Sequence, residues 1–419
     1  MKQAAILAIL ASAMLVNSAS AKWSRIPSAD KKAVSMSTVI AGTILQSSSG
    51  ISQANALILG DPVKPVKLAT GKSEAILRFA KQSVINNVSF VSDGIEGKVA
   101  MSSSTDGKAW SPLDNAIFSP ADRLIKLEAG AAQGRYLRLQ FELIRGGVIR
   151  GFQAIGSDSD ANYKVSQSEE GGAPTNFAAG VGGGRLVYIS PELFGSRNDA
   201  IQNSRLEFPE SDEKYRTAVY DLGQVRSLDE FGSVHSPRPV RFSVYAFETL
   251  PEKEDWRGRL AFDPTVFDST EPVARAEDSR GSGMLTAKPG KVVKSRYIAL
   301  RWEPDFNPPN FSAYTVSITG MANVTFSGAG VTVTTTTDSN GNTVATVSAD
   351  GNVNLTITVD SNGKVNVQGT AAPDGGTTNP TVDVNNQTDT AETGETTING
   401  VTIGAPSASG VGPGTVNTP

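Results

Sequence analysis

The chain of 419 residues contains no cysteine and only one histidine, His235. Without cysteine there is no disulfide bond, thiolate nucleophile or cysteine metal ligand. A single histidine gives no basis for a histidine-rich metal site, and the Ser-Val-His-Ser-Pro context of His235 is typical of a strand-to-loop corner rather than a catalytic triad. No carboxylate cluster stands out, and the glycine run at 180–184 lacks the Lys-Ser/Thr pair of a phosphate loop. These absences predict that the protein is not an enzyme.

Basic runs are also absent, although the charge is unevenly distributed. The net charge is −4 at pH 7. Residues 321–419 contain one basic residue, Lys364, and eight acidic ones, which gives −7, so residues 1–320 carry +3. Neither value indicates nucleic-acid binding, because proteins that neutralise phosphates carry clustered Lys and Arg.

The N-terminus has the three parts of a secretory signal peptide over residues 1–21. Lys2 supplies the positive charge, residues 4–16 form an apolar run too short to cross a bilayer, and Ala19-Ser20-Ala21 is a small-residue cleavage site. We expect a mature chain that starts near Lys22, has no membrane span and is secreted to the bacterial periplasm, the cell surface or the medium. The lack of cysteine favours a bacterial secreted protein over a eukaryotic one.

Two segments alternate apolar and polar residues in a way that predicts half-buried β-strands. They are 135–142 (RYLRLQFE) and 296–303 (RYIALRWE), and both open on Arg-Tyr and close on an aromatic residue followed by Glu. The flanking apolar segments occur in the same order around each copy, and helical periodicity is nowhere sustained. The pattern predicts an all-β protein in which one β-sandwich domain occurs twice.

The segment 104–110 (STDGKAW) resembles the S-x-D-G-x-x-W signature of discoidin domains, the coagulation factor 5/8 type C family. A later Arg-Tyr-Leu-Arg-Leu strand and a closing strand that ends in Ile155-Gly156 also fit that family. The resemblance covers residues 51–156 well and 205–320 more weakly, since 248–256 retains only the Trp of the signature. It implies two jelly-roll, galactose-binding-like sandwiches, the second divergent, with loops at one end that most often bind glycans.

Discoidin-like domains often hold a structural calcium ion, so the resemblance leaves such a site open as an alternative to no cofactor. The Asp106-Gly107 turn and the Asp-Ser-Asn-Gly motifs at 338–341 and 360–363 are the local candidates. A calcium loop needs six or more converging oxygens, and no such ligand spacing is present. Asn-Gly is also a strong hairpin signal, so both motifs predict tight turns.

The composition divides the chain into seven segments. Glycine-rich stretches predict a linker between the sandwiches, and from Met321 the chain is rich in threonine and lacks Trp and Tyr. The predicted order is a signal peptide at 1–21, a leader at 22–50, a discoidin-like sandwich at 51–156, a Gly-rich linker at 157–204, a second, divergent sandwich at 205–320, a Thr-rich β-hairpin repeat at 321–369 and a disordered tail at 370–419.

Three aromatic residues, Trp110, Tyr136 and Trp302, are predicted to be core residues, because the Trp of the family's signature packs inward and the other two lie in the alternating strands. Two loops contain the ligand-binding candidates, and they leave opposite ends of the predicted strand 241–247. One contains His235 and Arg238 among prolines. The other, which we favour, offers an aromatic face with both charge signs and contains Asp255, Trp256 and Arg257.

Together these features predict a secreted, non-catalytic protein that binds glycans or another cell-surface polymer through its sandwich loops. Two weak modules on one chain would gain avidity on a polymer. The alternative is a structural or assembly component of the envelope, the surface layer or an appendage, because Thr-rich Asn-Gly repeats are common in surface proteins. An exposed sheet edge or apolar patch would favour that alternative.

Export is expected to remove residues 1–21, because the small side chains of Ala19 and Ala21 fit a signal-peptide cleavage site. Intact-mass measurement of the secreted protein should give the mass of a chain that begins at Lys22. A secreted chain that still carries Met1 would contradict this prediction.

Overall fold

The structure is a computed structural model that describes residues 23–26, 33–157, 162–167, 172–191, 205–254, 258–305, 311–328, 330–349, 353–360, 365–371, 381–385, 396–398 and 401–403. These residues are mostly β-strand, with one short α-helix, α1 (Val266–Ser269), and three 3₁₀ helices at Val39–Ala41, Ala54–Leu57 and Gly180–Gly182. The predicted all-β fold class is confirmed. None of the helices in these ranges is long and apolar enough to cross a membrane.

The first ten strands contribute one strand to the second sandwich and nine to the first. In chain order they are β1 (Ser24–Arg25), β2 (Ala33–Ser35), β3 (Ile44–Ser47), β4 (Ile51–Ser52), β5 (Val66–Leu68), β6 (Gly71–Asp93), β7 (Glu96–Ser104), β8 (Ser111–Phe118), β9 (Leu124–Arg145) and β10 (Gly147–Ser157). The first sandwich is a single hydrogen-bonded sheet in the order β4-β5-β10-β6-β9-β7-β8, with β3 added to β6 and β2 added to β10.

This sheet closes into a sandwich because β6 and β9 are 23 and 22 residues long and pass from one layer to the other. The two strands pair at Leu77↔Leu137 in one layer and at Phe90↔Ile125 in the other, with two register shifts in between. All four side chains are buried in one continuous core. The period of two along each strand therefore places apolar residues inward in both layers.

The next thirteen strands complete the second sandwich. They are β11 (Asn162–Gln167), β12 (Ala173–Asn176), β13 (Arg185–Ser190), β14 (Leu206–Phe208), β15 (Arg216–Leu228), β16 (Glu230–His235), β17 (Val240–Phe247), β18 (Glu252–Glu254), β19 (Leu260–Phe262), β20 (Ala274–Asp278), β21 (Met284–Ala287), β22 (Val293–Pro304) and β23 (Phe311–Gly328). One layer, sheet A, has the order β1-β13-β15-β22-β17-β20, and the facing layer is built on β23, which pairs with β11, β12, β14 and β16.

Trp302 lies at the centre of the second sandwich and is fully buried. Its ring packs against Phe242 and Phe311, with centroid separations of 5.4 and 6.3 Å. The indole nitrogen donates a hydrogen bond to the hydroxyl oxygen of Ser233 at 3.1 Å, so its one polar atom is satisfied in the core. The prediction that Trp302 is a core residue is confirmed.

The two Arg-Tyr strands occupy corresponding positions in their sheets. In the first sandwich Leu139 of β9 lies between Ala75 of β6 and Met101 of β7. In the second, Leu300 of β22 lies between Ala218 of β15 and Val244 of β17. The apolar segments that flank each copy in the sequence are therefore the neighbours of that copy in space.

The structure differs from the predicted leader and linker. Within residues 22–50, β1 pairs with β13 of the second sandwich, whereas β2 and β3 belong to the first. Within 157–204, β11, β12 and β13 are strands of the second sandwich. Glycine is needed here for close packing rather than flexibility, since a side chain at Gly184 would overlap the carbonyl oxygen of Phe177.

The last seven strands include the Thr-rich repeat. They are β24 (Val331–Thr337), β25 (Thr343–Ala349), β26 (Val353–Val359), β27 (Val365–Ala371), β28 (Thr381–Asn385), β29 (Thr396–Ile398) and β30 (Val401–Ile403). β24 to β27 form an antiparallel meander that continues the sheet of β23. At the first turn, the carboxylate of Asp338 accepts the backbone N–H groups of Asn340 and Asn342 at 2.8 and 2.9 Å.

The meander is packed against the first sandwich rather than forming a separate appendage. Its inward side chains, among them Val333 and Val347, belong to the same buried cluster as Leu77 and Phe90. A side chain added at Gly42 would lie 3.0 Å from Val333 and 3.2 Å from Val347, so the backbone of the first sandwich touches the meander directly. The outward positions of β24 are threonines.

Two predicted segments lie largely outside the described residues. The signal peptide at 1–21 is one of them. Most of the predicted disordered tail at 370–419 is the other, and within it the structure places the end of β27 and the strands β28, β29 and β30.

Val333→Ala is expected to lower the free energy of unfolding by about 2–3 kcal/mol, because it opens a cavity between the meander and the first sandwich. Thr334→Ala, on the opposite face of β24, is the control and should change it by less than about 0.5 kcal/mol. Urea denaturation followed by tryptophan fluorescence would measure both. Equal effects of the two substitutions would show that the meander does not stabilise the sandwich.

Candidate functional site

The favoured candidates, Asp255, Trp256 and Arg257, lie outside the described residues. The strands that flank them, β18 and β19, form a hairpin in which Glu254 pairs with Leu260. The hairpin rests on sheet A, because Phe262 stacks on Trp23 with a centroid separation of 4.2 Å and Glu252 accepts a hydrogen bond from the Tyr188 hydroxyl. The loop 255–257 therefore connects two strands that are anchored to sheet A.

His235 is a core residue and not a surface ligand. It is fully buried, stacks on Phe311 at 5.9 Å, and its Nδ1 lies 2.8 Å from the carbonyl oxygen of Ser236. Its Nε2 is 3.7 Å from a carboxylate oxygen of Asp278. The prediction of His235 as a ligand-binding residue is corrected on this ground, because the last residue of β16 points into the sandwich and leaves no ring surface for a ligand.

Arg238 is half-buried in the turn between β16 and β17, where its backbone lies against Gly281. This turn precedes Val240, which pairs with Asp278, whereas the β18–β19 hairpin follows Phe247 at the far end of β17. The structure therefore does not bring Arg238 together with the loop that contains Trp256.

Trp110 differs from the prediction of a core position, whereas Tyr136 is buried as predicted. Trp110 is half-buried and packs with Tyr136 and Ile76 in a small cluster outside the main core. The guanidinium of Arg138 lies 4.3 Å from the centre of its ring. The turn returns the Trp to the outer face of the sheet, where the guanidinium of Arg138 packs on its ring.

Two of the three turn motifs that suggested calcium, those of Asp106 and Asp338, use their carboxylates internally, and residues 361–363 of the third lie outside the described residues. Asp106 accepts hydrogen bonds from the backbone N–H groups of Lys108 and Ala109 and from the Ser104 hydroxyl. These three bonds hold the pKa of Asp106 below its usual value. In the part of the chain that the structure describes, no group of three His, Asp or Glu side chains is placed to hold a metal ion.

A polar cleft separates the two sandwiches, but it is small. Ser37, Asp61 and Gln153 of the first sandwich and Asn176 and Thr315 of the second line it. Its volume is about 50 Å³. Because a water molecule occupies about 30 Å³ of the liquid and ligand pockets are about 300–1,000 Å³, this cleft holds solvent rather than a sugar.

The outer face of sheet A, which points away from Trp302, offers the best-formed surface. Half of it is covered by Phe262 of β19 and Phe267 of α1, which bury the residues beneath them in a separate apolar cluster: Tyr188, Val219, Tyr245 and Ala299. Burial and the hydrogen bond to Glu252 raise the pKa of the Tyr188 hydroxyl, so it stays protonated and donates. The other half of this face is polar and open.

Arg301 lies where the covered and open halves meet. Its guanidinium carbon is 3.5 Å from the centre of the Tyr215 ring and 4.4 Å from that of Phe267, so the cation is held between two aromatic faces. Its Nε is buried, and no hydrogen bond or ion pair joins the guanidinium to any residue within the described ranges. The terminal nitrogens are not among the buried atoms.

Several charged side chains near Arg301 are paired with one another. Glu303 binds Lys214 at 3.0 Å and Arg241 at 3.4 Å, and Arg275 binds Glu271 at 3.0 Å. A surface hollow of about 170 Å³ opens beside Arg241 and Glu303. We call Arg301, Tyr215, Lys214, Arg241 and Glu303 the Arg301 patch.

The alternation of β22 places Arg301 on the outer face, on the opposite side from Trp302, and this part of the patch could be read from the sequence. The two rings could not, because Tyr215 precedes β15 and Phe267 lies in a helix that follows the β18–β19 hairpin. No periodic pattern connects residues in such different elements.

No protein-family model matches the chain, and no curated protein matches its sequence. Solved structures similar to it include an allantoicase from Saccharomyces cerevisiae, at 12% identity and a TM-score of 0.26, over 70% of this chain and 94% of that one. The CBM32-1 and CBM32-2 domains of ZmpB from Clostridium perfringens, in complex with GalNAc, match at 10% identity and a TM-score of 0.26, over 71% and 96%. A fucolectin from Morone saxatilis matches at 9% identity and a TM-score of 0.25, over 69% and 99%.

At TM-scores of 0.26 and below, the likeness carries no weight for function. The function has to be argued from the Arg301 patch and the hairpin beside it.

Stability is expected to fall as the pH is lowered from 7 to 5, because burial lowers the pKa of His235 below its usual 6.5. Below pH 6.5 the unfolded chain binds a proton at His235 that the folded chain does not bind. The free energy of unfolding therefore falls by about 1.4 kcal/mol per pH unit until the pH reaches the pKa of His235 in the folded state. Melting temperatures of the wild type and His235→Gln at pH 7 and pH 5 would test this. A pH dependence that is the same in both proteins would contradict it.

Proposed function

We propose that the protein is a secreted, non-catalytic glycan-binding protein whose binding surface is the open half of the outer face of sheet A, together with the loop 255–257. The observation that carries the proposal is the side chain of Arg301, which is fixed between two rings and has unused donors at the surface. Secretion rests on the signal peptide predicted at 1–21.

The side chains of the patch suit sugar recognition. Sugar rings offer apolar faces, which pack on aromatic rings, and hydroxyl groups, which need both donors and acceptors. Arg301 and Lys214, which both lie over the Tyr215 ring, supply donors, and Glu303 supplies acceptor oxygens. Asp255, Trp256 and Arg257 would add an aromatic face and one charge of each sign.

Rigidity supports the same proposal. A guanidinium held by two rings and a hairpin anchored by Tyr188 and Phe262 lose little conformational entropy when a ligand binds. The assembly alternative was suggested mainly by the Thr-rich repeat. Because the inward side of that repeat is used to cover the first sandwich, the repeat no longer favours assembly over binding.

A glycan array probed with the mature protein is expected to give specific binding, and Trp256→Ala and Tyr215→Ala should each weaken it by about tenfold or more, because the first removes an aromatic anchor and the second removes a ring that holds Arg301 in place. Tyr314→Ala is the matched control, because Tyr314 is a half-buried tyrosine on β23, away from sheet A. Binding that survives both Trp256→Ala and Tyr215→Ala would place the site elsewhere. An array with no bound glycan would refute the proposed function.

A further inference from the structure

We infer that the Arg301 patch recognises a carboxylate of an acidic polysaccharide, so that the glycan is built from uronic acid units. This inference rests on the proposed function and adds the chemical class of the ligand. It follows from the geometry of one cation, the pairing of the carboxylate nearest to it in sequence and the hollow beside Arg241 and Glu303.

The first step is the exposed edge of the guanidinium. Both faces of Arg301 are closed by the Tyr215 and Phe267 rings, and the Nε side is buried. A ligand can therefore approach only the terminal nitrogens, in or near the plane of the group. Two terminal N–H groups of arginine form a fork that fits the two oxygens of a planar carboxylate.

The second step is the lack of a protein partner. Glu303 is the carboxylate nearest in sequence on the same face of β22, but it is bound by Lys214 and Arg241. In neighbouring strands the residues in register with Arg301 are Thr217 and Ser243, which carry no charge. Among the described residues, Arg301 is thus a fixed cation with no anion bound to it.

The third step is the energetic consequence. A desolvated cation gains more from a bound anion than a solvated one, because the rings exclude water from its faces. A neutral hydroxyl could accept one hydrogen bond from Arg301, but it would leave the charge uncompensated. A carboxylate would satisfy the charge and both terminal donors, so selectivity for acidic over neutral glycans is expected.

The hollow beside Arg241 and Glu303, at about 170 Å³, is smaller than a whole ligand pocket but offers acceptors for the hydroxyl groups of a sugar whose carboxylate is bound at Arg301. Its lining combines the carboxylates of Glu277, Glu303 and Asp305 with the guanidinium of Arg241. Carboxylate oxygens accept hydrogen bonds from sugar hydroxyls. The sugar carboxylate would be bound at Arg301, and hydroxyl groups of the same or the next sugar unit would be bound in the hollow.

The experiment compares polygalacturonic acid with its methyl-esterified form by affinity electrophoresis and calorimetry on the full mature chain. The acid should bind, and the ester should bind at least about tenfold more weakly. Added salt should weaken the binding of the acid but not that of the ester. Arg301→Gln should weaken binding of the acid by about tenfold or more and remove the difference between acid and ester.

Arg275→Gln is the matched control, since it removes the same charge from an exposed pair on the same sheet and should change binding by less than about twofold. Arg301→Lys keeps the charge but loses the paired N–H donors of the guanidinium. It should therefore bind the acid more weakly than the wild type, and its binding should still depend on salt. This variant also serves if Arg301→Gln does not fold, as judged by its melting curve.

Equal affinity for acid and ester, or equal effects of Arg301→Gln and Arg275→Gln, would overturn the carboxylate assignment. Dextran sulfate that binds more tightly than polygalacturonic acid would overturn it in favour of a sulfate ester. In each of these cases the proposed function would still hold if the wild type binds the methyl-esterified polymer and Trp256→Ala does not. Failure to bind any acidic or neutral glycan would refute both.

Discussion

A single strand, β23, holds the architecture together. Over 18 residues it pairs with β14, β12 and β24 along one edge and with β16 and β11 along the other. Its first half buries Phe311, Val316 and Ile318 in the second sandwich, and its last residues lead into the meander that covers the first. The backbone hydrogen bonds of β23 therefore fix the two sandwiches and the meander relative to one another. Sheet A, with its Arg301 patch, packs against the layer that contains β23.

The sequence could predict those features of the fold that depend on alternation within one strand, namely where the strand lies and which face each side chain occupies. Period-two patterning identified β9 and β22 and placed Trp302 inward, the same alternation puts Arg301 on the outer face, and Asn-Gly marked the turn at Asp338. The positions of β11 and β12 were not predicted, because glycine in a sequence indicates flexibility, whereas here it is a point of close contact. The outward position of Trp110 was not predicted either, since a turn can place an aromatic ring on either face of a sheet.

Only part of the candidate site could be predicted from the sequence, for a related reason. The alternation in β22 gives the direction of the Arg301 side chain, but its function depends on Tyr215 and Phe267, which come from a strand approach and a short helix. The burial of His235 was equally hidden, because a residue at the end of a strand and before a proline can face solvent or core. Burial, not local pattern, removes His235 from the candidates and leaves Arg301 among them.

The position of β1 has a consequence for how the chain is made. Ser24 and Arg25 pair with Ile189 and Tyr188, and Ile26 enters the core of the second sandwich, yet the next strand, β2, belongs to the first. The chain thus begins in the second sandwich, builds the first and then returns. No single cut yields two complete domains, and a chain emerging N-terminus first must hold its leading strand unpaired until the first sandwich and β13 have followed it.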